Sequence, residues 1–311
     1  MRLTSPRYHR PVDVRELDQP GHLRSVTRAV AGLLIDIDGV LVQQERPIAG
    51  AAEALRALAA HGTPFRLATN TSLVSRATLA RQAAQLGLDV EPGQILSALS
   101  AAAALTRRRY PDRALYVLCS SDARSEFAGQ HLLEADAADS KGEACAAVVI
   151  GDAPEALTYE NLDRAFRLVR GGARLVAMHR NPWWLTRRGP TLDAGAFVVG
   201  LEYATRRRAL LAGKPAVAFF RTAARELGLP PARIAIVGDD LRSDIAGGQR
   251  AGLRGIWVRS GRHAAEDLAA GLARGARPPD AIAPDLIAVV GARVGRGRGW
   301  ALGAGGSDGR E

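Results

Sequence analysis

The sequence predicts an α/β protein built on a mostly parallel sheet with helices on both faces. Three observations predict it. Short apolar runs alternate with helical patterns along the chain, which is the signature of strand–helix–strand units. The runs are apolar almost throughout, as strands covered on both faces must be. The units are too many for one tidy sheet, so two α/β domains are expected.

The elements follow in order. "GLLIDID" reads as a strand and "AAEALRALAAHG" as a helix closed at Gly62. "PFRLATN" is a strand and "RATLARQAAQLGL" a helix. "ALYVLCS" and "AAVVIGD" are strands, and "YENLDRAFRLVRGG" is a helix ended by glycines. "ARLVAMH" is the next strand. Then come the helix "PAVAFFRTAARELGL", the strand "RIAIVGDD", the helix "DIAGGQRAG" and the strand "RGIWVRSG". Residues 1–29, polar and broken by Pro6, Pro11, Pro20 and Gly21, read as a poorly ordered tail, and the Gly/Arg-rich residues 292–311 as a flexible one.

Composition narrows the function. The chain has 311 residues, 47% hydrophobic and 24% charged, the values of an ordinary globular protein. Its net charge of +10 permits an anionic partner. The arginines are scattered in short clusters such as 107–109 and 206–208, which reads as solvated surface and not as a nucleic-acid footprint. Cys119 and Cys145 have no metal-binding spacing, and two cysteines fit a reducing compartment. No apolar stretch reaches membrane-spanning length, and no secretory h-region is visible. Asp13, Glu16 and Asp18 speak against a transit peptide. A cytoplasmic protein without a membrane or nucleic-acid partner is expected.

Four stretches carry chemistry. In "LLIDIDGV", Asp36 and Asp38 end a buried strand on the same side, and Gly39 lets the backbone turn. Strand ends of this kind are where open α/β sheets bind ligands. Two crowded carboxylates need a cation, a shared proton or both, and a hard cation such as Mg²⁺ suits oxygen ligands. In "LATNTS", Thr69 and Asn70 end a second strand, where hydroxyl, amide and backbone N–H groups can hold phosphate oxygens or simply cap a helix. In "LAGKPAVAFF", Lys214 can neutralise a carboxylate and a phosphate. In "IAIVGDDLRSDIAGG", Asp239, Asp240 and Asp244 give a second acidic cluster at a strand end.

Together, and in this order, the four stretches resemble the motifs of the haloacid dehalogenase superfamily of phosphohydrolases. The stretches "TYENLDRAFRLVRGGARLVA", "GLEYAT" and "GDDLRSDIAGGQRAGLRGIWVRSGR" resemble its class IIA branch, which carries a large α/β cap and includes the phospholysine phosphohistidine inorganic pyrophosphate phosphatases. The resemblance spans about residues 31–290 and implies a Rossmann-like doubly wound core. It places the core at 30–98 and 207–291, with the cap inserted at 99–206. It implies a Mg²⁺-dependent phosphatase acting on a small phosphorylated substrate. Asp36 would be the nucleophile and Asp38 the general acid and base. Thr69 and Asn70 would hold phosphate, and Lys214 would steady the transferring group. Mg²⁺ would sit on Asp36, the Asp38 backbone carbonyl and Asp239, supported by Asp244 and Asp240. Dimers through the cap are frequent in this branch, so a homodimer is a further expectation. Dehalogenation shares the fold but has no need of Asp38. Transfer to an acceptor other than water, or a purely phosphate-binding role, leaves the same residues in place.

In "MHRNPWWLTRRGPTLDAGAF", His179, Arg180, Asn181, Trp183 and Trp184 are candidates to line a substrate mouth, with packing the alternative for the tryptophans. Arg187 and Arg188 are candidates for a second phosphate. The wider group often has Asn-Pro-Asp where this chain has Asn181-Pro182-Trp183.

Overall fold

The computed structural model describes residues 14–135, 144–186, 189–261 and 265–295. The first strand, β1 (Gly32–Asp36), is followed by a small hairpin, β2 (Val42–Gln43) and β3 (Arg46–Pro47), and then by β4 (Phe65–Thr69) and β5 (Ile95–Ser97). Four more segments follow: β6 (Leu115–Leu118), β7 (Ala147–Ile150), β8 (Arg174–Ala177) and the pair β9 (Trp183–Thr186) and β10 (Gly189–Leu192). The chain continues through β11 (Leu210–Leu211), β12 (Ile234–Gly238), β13 (Arg254–Val258) and β14 (Ala281–Ala283).

Two parallel sheets result. The larger runs β14-β13-β12-β1-β4-β5, with helices packed on its faces, and is Rossmann-like as the resemblance implies. The smaller runs β11-β8-β7-β6 and lies in the insertion. Leu33, Leu34 and Ile35 are fully buried because β1 is central and covered on both sides. Each such side chain is worth roughly 1.5–3 kcal/mol of transfer free energy. β1 sits between β12 and β4, in register Ile35 with Val237 and Asp36 with Ala68. Three motif-bearing strand ends therefore open side by side, where a doubly wound sheet places its ligand.

The expected boundaries shift in three places. Residues 14–17 and 20–29 are helices, not tail. Leu17 and Leu23 are buried, and Asp18 makes a bidentate ion pair with Arg259 at 2.8 and 2.6 Å. Residues 292–294 belong to the helix Leu286–Val294, and Arg293 donates to the carbonyls of Thr27, Val30 and Ala31. The remaining tail residues, 1–13 and 296–311, lie outside the described residues.

The 99–206 cap limits also differ from what packs together. Leu210 and Leu211 still belong to the smaller sheet. The helix Ala98–Arg109 buries Leu99, Ala102 and Leu105 in one apolar cluster with Leu34, Ala68 and Phe219 of the core and with Val117, Val149 and Val176 of the smaller sheet. It is shared between the two units. The three-residue strands β5 and β14 and the four-residue strands of the β9–β10 hairpin were not legible as strands, since three or four residues carry no measurable period.

Candidate active site

Asp36 closes β1 and is only 6% exposed. Its Oδ1 accepts from the Ile37 backbone N–H at 2.8 Å. Directly beyond, the chain turns hard. The Ile37 carbonyl accepts from the N–H groups of Leu41 and Val42 at 2.9 and 3.0 Å, and the Gly39 N–H donates to the Val42 carbonyl at 2.7 Å. Gly39 has φ +83°, and a Cβ there would lie 2.4 Å from Asp239 Oδ2. Only glycine allows this left-handed turn and this approach. Ser260 Oγ donates to the Gly39 carbonyl at 2.8 Å and ties the loop to the segment that follows β13.

Lys214 is 3% exposed, and its ammonium has three acceptors for three protons. Nζ donates to Asp36 Oδ1 at 2.7 Å and to the Ala68 carbonyl at 3.3 Å, and pairs with Asp244 Oδ1 at 2.7 Å. Burial would push the Lys214 proton off, but Asp244 and Asp36 hold it, and its pKa rises. Burial is also the main influence on the acids. It lifts Asp36 to about 6 despite Lys214, with Asp239 and Asp38 adding repulsion. Asp244, fully buried, is raised well above the ordinary range, first by burial and then by Asp36.

Asp36, Asp239 and Asp244 bring carboxylate oxygens within 4.8 Å of one another. Asp239 is 2% exposed, and its carbonyl accepts from the Trp257 indole N–H at 2.6 Å. Three buried carboxylates against one ammonium leave an excess of negative charge in a low-dielectric site. An oxygen-preferring divalent cation fits this donor set. The trio holds Asp36 and Asp239 of the expected metal set together with Asp244, expected as its support; the Asp38 side chain is exposed and lines the cavity.

Two other expected residues have different partners from those anticipated. The Asn70 carboxamide is occupied by the lysine segment: Oδ1 accepts from the Lys214 N–H at 2.9 Å, and Nδ2 donates to the Lys214 carbonyl at 3.1 Å and to Asn181 Oδ1 at 3.3 Å. Its side chain fixes the backbone of the lysine segment, and Asn70 also lines the cavity. Asp240 Oδ1 accepts from the N–H groups of Arg242 and Ser243 and so caps the turn that carries Asp244. Thr69 is fully buried and hydrogen-bonds Thr71, with Oγ atoms 2.9 Å apart.

Asp36, Asp38, Asn70, Lys214, Asp239 and Asp240 form the floor of a cavity of about 610 Å³ between the two sheets, with Thr69 and Asp244 buried behind it. Its other wall comes from the smaller sheet: Asp152 follows β7, His179 and Asn181 follow β8, Trp184 is on β9, and Asp193 caps the helix Ala194–Thr205. The two walls are tied by Ser72, whose Oγ lies 3.0 Å from His179 Nε2 and accepts from the Asp152 N–H at 2.8 Å. The Asn181 N–H reaches His179 Nδ1 at 3.3 Å, and Asp193 Oδ1 lies 3.5 Å from Nε2. Burial pushes His179 down to about 4, Asp152 opposing, so the ring is neutral at pH 7. Asp152 is raised, first by burial and then by Asp193.

Among the mouth candidates, His179, Asn181 and Trp184 line the cavity. Arg180 instead pairs with Glu202 at 2.8 Å, and Trp183, half exposed, is absent from the lining. Arg187 and Arg188 lie outside the described residues. Ser72, Asp152 and Asp193 were not anticipated. Asp152 ends the strand "AAVVIGD" as Asp239 ends "RIAIVGDD", and that parallel was the available signal.

A model of haloacid dehalogenase-like hydrolases matches residues 33–132, and a second, described as HAD-hydrolase-like, matches residues 211–289. The bovine (Bos taurus) haloacid dehalogenase-like hydrolase domain-containing protein 2 is 36% identical over 240 residues, 77% of this chain and 88% of that protein. The phospholysine phosphohistidine inorganic pyrophosphate phosphatase of Danio rerio is 31% identical over 269 residues, 85% of this chain and 94% of that protein. The p-nitrophenyl phosphatase from Archaeoglobus fulgidus superposes with a TM-score of 0.77 at 27% identity, over 85% of this chain and 99% of that one.

Proposed function

The chain belongs to the haloacid dehalogenase-like hydrolases and is a phosphohydrolase; from that premise we propose that it hydrolyses a small phosphorylated substrate through Asp36, with Mg²⁺ as cofactor. The observation that carries this reading is the buried convergence of Asp36, Lys214, Asp239 and Asp244 on one end of a cavity.

Phosphoryl transfer is mostly positioning and charge stabilisation. Asp36, held by the Ile37 N–H and Lys214, attacks phosphorus and forms an aspartyl-phosphate. Asp38 faces the cavity and solvent, which suits a group that gives a proton to the leaving oxygen and then takes one from the attacking water. Hydrolysis of the acyl-phosphate returns Asp36 and releases inorganic phosphate. Lys214 neutralises charge on Asp36 and on the transferring group. Asp244 and Asn70 hold Lys214 in place from opposite ends. Thr69, with the backbone N–H groups after β4, holds phosphate oxygens. Mg²⁺ would be held by Asp36, Asp239 and the Asp38 carbonyl, and supplies neutralisation of phosphoryl charge when bound. The smaller sheet acts as the cap that closes over the substrate.

The test is phosphate release from p-nitrophenyl phosphate and a panel of phosphate esters, phosphoramidates and pyrophosphate, with Mg²⁺ and with EDTA. Release that requires both the metal and Asp36 is expected. Metal-dependent turnover retained in Asp36→Asn would overturn the mechanism.

A further inference from the structure

The cavity that holds Asp36 has a third side, and it is apolar. Leu79, Ala83 and Leu86 line it from the helix Arg76–Gln85 and its C-cap, at i, i+4 and i+7, which is one helical face. Leu41 and Val42 line it from the turn that follows Asp36 and Asp38, and Ile95 from β5. The Leu41 and Val42 N–H groups donate to the Ile37 carbonyl, so this side begins where the Asp36–Asp38 segment turns. Val42, Leu79, Ala83 and Leu86 are half-buried: they pack on the core cluster behind them and keep a face open to the cavity. The helix is also fixed in place. The Asp122 carboxylate accepts from the Ser75 N–H at 2.7 Å and from Ser75 Oγ at 3.2 Å, and Arg76 pairs with Glu126 at 2.9 Å, so the helix N-terminus is pinned to the segment after β6.

Open apolar surface inside a concavity is where an apolar group gains most by leaving water. Phosphate is handled at the floor, and a cavity of about 610 Å³ is of the size that holds a whole small organic molecule. We propose that this third side is a subsite for the leaving group, and that it selects phosphate monoesters of apolar alcohols, alkyl or aryl. The proposal rests on the phosphatase reading and deepens it. Asp36 attacks phosphorus, the P–O bond to the alcohol breaks, and the leaving oxygen takes its proton from Asp38, so the alcohol is released neutral. Water then frees Asp36 and inorganic phosphate. The apolar part of the alcohol lies against Leu79, Ala83 and Leu86, out of water. Pyrophosphate has no apolar part and gains nothing there.

The experiment measures phosphate release by the purified chain with Mg²⁺ from ethyl, butyl and hexyl phosphate. Their leaving alcohols are nearly equal in acidity and differ in apolar length. p-Nitrophenyl phosphate is added as the activity control. kcat/KM is expected to rise about threefold for each added methylene. The variants Ala83→Gln and Leu86→Gln put a polar side chain on the same helical face, and glutamine is a good helix former. In at least one of them the rise should fall below about 1.5-fold per methylene. A wild-type series that is flat or falls with length overturns the proposal and leaves the phosphatase reading intact; it is the result expected if a second copy of the chain covers this side. The full rise retained in both variants overturns it too. Failure to release phosphate from any of the four compounds overturns the phosphatase reading, and this one with it.

Discussion

At the core wall of the cavity, three buried carboxylates close on a buried ammonium. At the cap wall, Asp152 and Asp193 face a histidine that burial keeps neutral. Both walls are made of residues that follow parallel strands, and both are acidic. The difference is in what holds them. The core wall is held by a buried ion-pair set around Lys214, and Asn70 fixes the backbone that bears it from two sides. The cap wall is held by hydrogen bonds through Ser72 to His179 and the Asp152 backbone. Charges locked against one another keep a fixed geometry, while a wall joined by single hydrogen bonds is easier to part.

The most severe way to break the core wall is Asp36→Asn, expected to lower kcat for phosphate release by more than about a thousandfold with the fold intact. A single-turnover assay for acid-stable, hydroxylamine-sensitive phosphoenzyme should also lose its signal. Lys214→Met removes the counter-charge and leaves Asp36 and Asp244 buried without it. Breaking such a pair costs about 3–5 kcal/mol, readable as a lowered urea midpoint. Gly39→Ala forces a left-handed residue and a Cβ into Asp239, at a cost of about 1–2 kcal/mol. Because Asp239 must shift, the Mg²⁺ concentration for half-maximal activity should rise more than stability falls. At the cap wall, Ser72→Ala leaves the Asp152 N–H without its acceptor and should cost about 1 kcal/mol. A last effect is one of pH. His179 has a folded pKa near 4 against an ordinary 6.5, so the unfolded chain binds the extra proton between those values. Its contribution is complete above pH 6.5 and is lost as pH falls toward 4. The wild-type urea midpoint should decline through that window, and His179→Gln should flatten the decline.

The same contrast governs what could be read from sequence. Asp36 and Asp239 sit at the ends of buried five-residue strands, and Lys214 and Asp244 fall in fixed local patterns beside apolar runs, so all four stand out as carriers of charge in apolar surroundings. Their partners were harder. That Asn70 turns its amide to the Lys214 backbone, or that Asp240 spends itself on a cap, depends on loops that sequence spacing does not define. The cap wall is assembled from single residues at separate strand ends, none beside another in the chain. Asp193 reads as an ordinary helix cap, and it is one. It also lines a cavity only because β7, β8 and the helix after β10 converge. The helices over residues 14–29 were masked by prolines and polar residues, although Leu17 and Leu23 supplied the buried contacts.

The helix Ala98–Arg109 bears on how fast product can leave. Its apolar side chains join core and smaller sheet in one cluster, so pulling the two sheets straight apart would wet that whole surface, at roughly 25 cal/mol for each Å². On the cavity side the two sheets meet instead through polar contacts, Asn70 with Asn181 and Ser72 with His179 and Asp152. If the proposed phosphatase releases phosphate by parting of the smaller sheet from the core, these hydrogen bonds are the ones that must break, and the oily side of the joint is the costlier one to open.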